Sequence, residues 1–216
     1  MTPDLQVPPP RPPRADALAA ARAAMLAEAA KPRGAGWRAR MLLVLALTVG
    51  VFAVVAVVGS LTGFVSPAVL AARWVTALPV ALAGTLTVVA AWTPGKRALR
   101  LGAVFLAGGA MLALVLGRAA SSYTSATPEW VCTASHIAAA IPAGAVGLLG
   151  LRGMAPNRLR AVLAGLGIGT VGALLGELLC ERGPMHVGLY HLSAWAVVAA
   201  AIVVVASRLT PRSFAP

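Results

Sequence analysis

Six stretches of this chain stay apolar for about 18 residues or more, a length that admits few folds. A helix rises about 1.5 Å per residue, so about 20 residues cross a hydrocarbon core about 30 Å thick. The stretches run from about Met41 to Gly63, Val69 to Trp92, Leu99 to Gly117, Cys132 to Leu151, Leu159 to Cys180 and Val187 to Ser207. Hydrophobic residues make up 59% of the 216 positions and charged residues 11%. A soluble domain carries about 25% charge. The expected fold is all-α: an integral membrane bundle of six transmembrane helices over residues 41–212, behind a cytoplasmic Pro-rich tail with a short helix over residues 1–40. The polar lead before the first stretch is too long for the n-region of a signal peptide, so that stretch reads as a span.

The loops carry an orientation signal. One side takes Arg11, Arg14, Arg22, Lys31, Arg33, Arg38 and Arg40, then Lys96, Arg97 and Arg100, then Arg152, Arg158 and Arg160, then Arg208 and Arg212. The other side takes only Arg73, Arg118 and Arg182. Positive loops stay inside, so both termini are expected in the cytoplasm of a multi-pass inner-membrane protein. An even number of spans agrees. The net charge of +12 is therefore read as topology and contact with membrane lipid. No aromatic-interleaved basic patch points to direct nucleic-acid binding. Trp37, Trp74, Trp92 and Trp130 lie near span ends, where interfacial anchors belong, and Arg73 is placed to snorkel outward.

In this topology both cysteines and all three histidines fall at the outer face. Cys132 opens the fourth span, with His136 one turn on; Cys180 closes the fifth; His186 sits in the short outer loop; His191 is about one turn into the sixth. Glu177, one turn before Cys180, is costly inside a span and is expected to face the bundle or a hydrated crevice. Three readings are open. Cys132 and Cys180 can pair as a disulfide or act as redox sensors, since the outer side of an inner membrane is oxidising. Alternatively, Cys132, His136, Cys180, His186 and His191 can ligate a soft or borderline metal such as zinc, copper or cadmium, with Cys132/His136 as an i, i+4 half-site. Or the cysteines are small packing residues and the histidines interfacial polar groups. Haem ligation by His136 and His191 is a further option. An enzyme is not expected: a thiol oxidoreductase would want a Cys-x-x-Cys pair, which is missing. A membrane metal-binding or small-solute transport protein is the alternative to a regulator, although a carrier places its ligands near the midplane.

The fifth span carries Gly165, Gly167, Gly169, Gly172 and Gly176. Such small-xxx-small pairs let helices approach closely, within the monomer or in a homodimer. Pro79 and Pro142 should kink their spans. In the tail, Pro3, Pro8 to Pro10, Pro12 and Pro13 predict polyproline II or disorder. Asp16 can cap a helix reaching about Ala30. Leu18, Arg22, Met25 and Leu26 are its candidate partner contacts, in a helix too weak to stand alone that folds on a partner or serves as a spacer.

From Cys132 onward, roughly the last 40% of the chain, the pattern resembles NrsF-family membrane proteins, negative regulators of extracytoplasmic-function sigma factors. The shared features are Cys132 opening a span, Pro142 within it, and the turn Leu151-Arg152-Gly153-Met154-Ala155-Pro156. They continue with the Gly-spaced segment Ala164 to Gly176, then Cys180, His186 and His191. Glu181-Arg182-Gly183-Pro184 departs from the family's usual run after the second cysteine. The resemblance implies a six-span anti-sigma factor whose Cys132 and Cys180 are functional. It also implies a cytoplasmic N-terminus that binds a sigma factor.

Overall fold

The computed structural model describes residues 15–30, 36–63, 67–93, 96–118, 128–152, 154 and 157–209. The chain divides into two units, 1–35 and 36–216. In the first, α1 spans Ala15–Ala30. Asp16 lies inside its first turn rather than capping it, where a carboxylate complements the helix dipole instead. Leu18 and Arg22 are exposed. The side chains of Met25 and Leu26 and the prolines of residues 1–14 lie outside the described residues, as do Gly153, Ala155 and Pro156 of the turn after Arg152.

Every element described in the second unit is helical. The helices are α2 (Gly36–Leu61), α3 (Pro67–Trp92), α4 (Arg97–Leu116), α5 (Trp130–Arg152) and α6 (Arg158–Leu179). The last, α7 (Pro184–Arg208), contains a π-helical stretch at Val187–Leu192. Six of these segments are long and apolar enough to cross a membrane. The protein is a six-helix membrane bundle. The first span begins at Gly36 and the last at Pro184, each earlier than hydropathy alone indicates, because polar and aromatic residues extend a helix beyond the hydrocarbon.

Helix α6 is the axis of the bundle. It packs against α2, α3, α4, α5 and α7, and 78% of its span is buried, against 11% of the span of α2. Small residues explain the position. Without water to drive helices together, close backbone approach has to supply the packing. A Cβ built on Gly165 would lie 2.6 Å from the Cα of Ala199, so α6 and α7 meet backbone to backbone. Gly169 is covered by the Trp195 ring, Gly172 by the His136 ring and Gly176 by the His191 ring. These glycines are used inside the monomer.

One tryptophan and two arginines depart from the expected pattern. Trp92 is completely buried against Gly147 and Gly150, not an interfacial anchor; small residues on α5 open room for its ring. Trp74 and Trp130 are exposed. Arg100 is buried, and its guanidinium donates to the carbonyls of Ala90 (3.3 Å) and Thr93 (3.0 Å). It thereby satisfies the C-terminus of α3, where a cation also complements the dipole. Arg73 turns inward, as described below.

Candidate functional site

The site lies at the end of the bundle where α5 begins, α6 ends and α7 begins. Cys132 stands in the first turn of α5 and is half-buried. Next to it, the Thr133 hydroxyl donates to the Tyr190 carbonyl at 3.0 Å, tying α5 to the π-helical stretch. Cys180 is the C-cap of α6; its extended backbone ends the helix while its N–H still bonds to Gly176 O at 3.0 Å. Its side chain is buried.

His186 and His191 are five residues apart. In a regular α-helix that separation points two side chains about 140° apart. The π-helical stretch lies between them, and its wider i→i+5 turn returns the fifth residue to nearly the same face. The two rings accordingly lie 5.4 Å apart, edge to face. His186 also stacks on Tyr190 at 4.8 Å. A spacing that looks unsuited to a shared site in the sequence becomes a pair through a local change of helix type.

Four of the five expected residues converge. One ligand atom each from Cys132, Cys180, His186 and His191 lies within 4.8 Å of every other. The two cysteines are unbonded thiols in contact with one another. His186 and His191 are 7% and 5% exposed. Both ring nitrogens of His186 and Nε2 of His191 find no hydrogen-bond partner among the described residues. Leaving such a group unsatisfied costs about 1–3 kcal/mol.

His136 does not join this group. Its Nε2 is 2.9 Å from Gly169 O, and its ring fills the niche over Gly172. It lies a turn deeper, edge to face with His191 at 6.2 Å. Cys132 and His136 share a side of α5, but depth separates them. Cys132 meets the end of α6, whereas His136 meets its middle.

A buried ion network supports the end of α6. The Arg118 guanidinium, just past α4, donates to Glu177 Oε1 through Nε (3.1 Å) and Nη2 (2.8 Å). The same group reaches Gly176 O at 3.2 Å and the carbonyl of Cys180. Glu177 Oε2 accepts from the Thr76 hydroxyl at 2.8 Å and lies 3.6 Å from Arg73 Nη1. Arg73 therefore does not snorkel outward; a buried carboxylate within reach outweighs the interface. Arg118 satisfies the last carbonyls of α6 as Arg100 does those of α3, and it holds the backbone of Cys180 directly. The sequence carried one signal for this network. A carboxylate inside a span needs a cation, and Arg73, Arg118 and Arg182 were the only basic residues on that side. Which of them would reach it depends on contacts across more than 50 residues.

The rim is polar. Arg182 Nη1 pairs with Glu129 Oε1 at 2.9 Å, and His186 Nδ1 lies 3.9 Å from the same oxygen. A hydrogen bond from Tyr190 holds the Glu129 carboxyl below the usual carboxylate range, helped by the charge of Arg182. Glu129 therefore remains ionised at neutral pH beside His186.

Among known proteins, no family model matches the chain, and no solved structure does. A relative is found in Myxococcus xanthus. The chain is 42% identical over 183 residues to "Carotenogenesis protein CarR", across 83% of this chain and 81% of that protein.

Proposed function

The chain belongs to the family of the carotenogenesis protein CarR, and from that premise we propose that it is an inner-membrane anti-sigma factor. The N-terminal tail, with Leu18 and Arg22 exposed on α1, holds an extracytoplasmic-function sigma factor inactive in the cytoplasm. The signal enters at the opposite membrane face, through Cys132 and Cys180 with the histidines around them, by thiol oxidation or metal binding. The NrsF-like features from Cys132 onward support the sigma-factor partner. The relative's name makes carotenoid formation the first programme to test for control by this chain.

One observation carries the sensing half of this reading. Two thiols and two imidazoles from three helices meet at one point, all buried but the half-buried Cys132, and bulk packing in a bilayer requires none of them. Oxidation would join Cys132 to Cys180 and so couple α5 to α6, and ligation would draw in His186 and His191 and couple α7 as well. A sensor needs such a bistable element, favoured in one state by its signal.

The test is genetic and biochemical. Deleting residues 1–30 should abolish co-purification of the sigma factor with membranes and leave its target genes constitutively on. Cys132→Ser and Cys180→Ser should retain the sigma factor and change only induction. Unchanged target transcription after the tail deletion would refute the anti-sigma reading.

A further inference from the structure

We propose that Cys132, Cys180, His186 and His191 form a four-coordinate site for a divalent borderline cation, zinc being the natural fit, and that this cation is the ligand the regulator reads. The regulatory consequence rests on the membrane-regulator reading above; the binding stands on the geometry alone.

The distances come first. Bonds of about 2.3 Å to sulfur and about 2.0 Å to nitrogen in a tetrahedron place ligand atoms roughly 3.3–3.8 Å apart. The four side chains already offer atoms within 4.8 Å of one another, so closure on an ion takes movements of about 1 Å. A hard cation such as magnesium or calcium would want six or more oxygens, whereas the described residues that converge here offer sulfur and nitrogen.

The histidines separate a metal from a disulfide. A Cys132–Cys180 disulfide would account for the thiols and leave the ring nitrogens of His186 and His191 that lack a hydrogen bond among the described residues as they are. A cation takes one nitrogen from each ring and so lowers that cost, leaving one His186 nitrogen to be satisfied. Glu129 is placed to complete the arrangement, since its Oε1 is 3.9 Å from His186 Nδ1. Metal-bound histidines usually direct their second nitrogen to a carboxylate or carbonyl, which fixes the ring.

Charge selects the oxidation state of the ion. A dication displaces one proton from each thiol, so two protons leave, and two thiolates with two neutral imidazoles make a complex of zero net charge. A monovalent ion in the same ligands would leave a net negative charge buried at the edge of a low-dielectric region, which is costly. The neighbouring arginines already have carboxylate partners, Arg118 and Arg73 sharing Glu177 and Arg182 pairing with Glu129.

The position supplies the regulation. The ligands come from the start of α5, the cap of α6 and the start of α7, so the cation binds only when those three helix ends are together. Arg118 carries the state of Cys180 onward, because it holds the Cys180 carbonyl and Glu177, and Glu177 in turn touches α3. Loss or capture of the ion therefore changes the packing of the central helix.

The experiment uses the full chain in detergent, reduced and stripped of metal. Titration with Co²⁺ should saturate at one ion per chain and produce thiolate charge-transfer absorption with the intense visible bands of tetrahedral cobalt. Zn²⁺ should bleach them. Cys132→Ser, Cys180→Ser, His186→Gln and His191→Gln should each remove or greatly weaken the bands, and Glu129→Gln should lower affinity by about 10-fold. His136→Gln should leave the bands unchanged. To guard against variants that misfold, the unaltered chain gives a second readout: Zn²⁺ should protect both thiols from a maleimide, and a chelator should restore labelling. Weak octahedral cobalt spectra, absence of thiol protection by Zn²⁺, or bands that survive loss of any of the four ligands would overturn the site. Any of these would leave the tail-deletion result untouched, so failure here is distinguishable from failure of the anti-sigma reading.

Discussion

Glu177 is held between two arginines and a threonine, and both its side chain and that of Arg118 are almost wholly buried. Removing one member of a buried pair strands the other's charge, which costs roughly 3–5 kcal/mol. Glu177→Gln preserves size, yet it should lower the thermal unfolding midpoint in detergent sharply. Because the two side chains interact directly, combining it with Arg118→Met should cost less than the two single changes added together. Additive losses would show that the contact contributes little. At this scale the sequence is legible in kind and less so in pairing. Cys132, Cys180, His186 and His191 could be assembled from topology, since each falls at a span end on one side. His136 could not be told apart from them, because depth is invisible to a face argument when the opposing surface is unknown. Trp92 differs from the expectation for a similar reason. A span-end tryptophan looks like an anchor until the glycines that receive it, Gly147 and Gly150, are known to oppose it.

Among the elements, α6 sets the geometry of the rest, and it does so through missing side chains. Gly165→Ala would place a methyl group 2.6 Å from the Cα of Ala199, where only backbone is available to give way. Helices α6 and α7 would have to part, at about 1–3 kcal/mol. Gly108→Ala is the matched control, since nothing lies within 4 Å of a Cβ there. Alanine's better helix propensity should leave that variant as stable as the parent or slightly more so. Equal unfolding midpoints for the two variants would show that α6 and α7 do not pack this closely. The six spans themselves were readable, because length and apolarity suffice to define them. Which one is central was less apparent. The glycines of α6 announce close packing, but not with which neighbours. The π-helical stretch had no sequence signal, since nothing local marks where a helix takes in an extra residue.

For the whole molecule, six alternating spans place the start of α2 and the end of α7 on one side and the Cys/His end on the other. If the basic loops orient the chain, a periplasm-active reporter fused after residue 212 should be silent, and one inserted near Thr124 should be active. The reverse result would move Cys132 and Cys180 to the cytoplasm, where reducing conditions remove the case for thiol oxidation. The last helix also has a length property of its own. A π turn is an α-helix that has taken in one extra residue. The chain therefore carries a spare residue between Pro184 and Ser193, and the rest of α7 is already in phase without it. Omitting Gly188, beside which a Cβ would meet nothing within 4 Å, should let the stretch relax to ordinary helix. His186 and His191 would then be four apart and still face the same way, with Trp195 and Ala199 still against α6. The shortened protein should insert into membranes and keep its tetrahedral cobalt spectrum. Omitting Ala200 from the regular part instead turns everything beyond it by about 100° and should cost the fold. Within α7, this is the place where the helix should be able to lose a residue and keep its register.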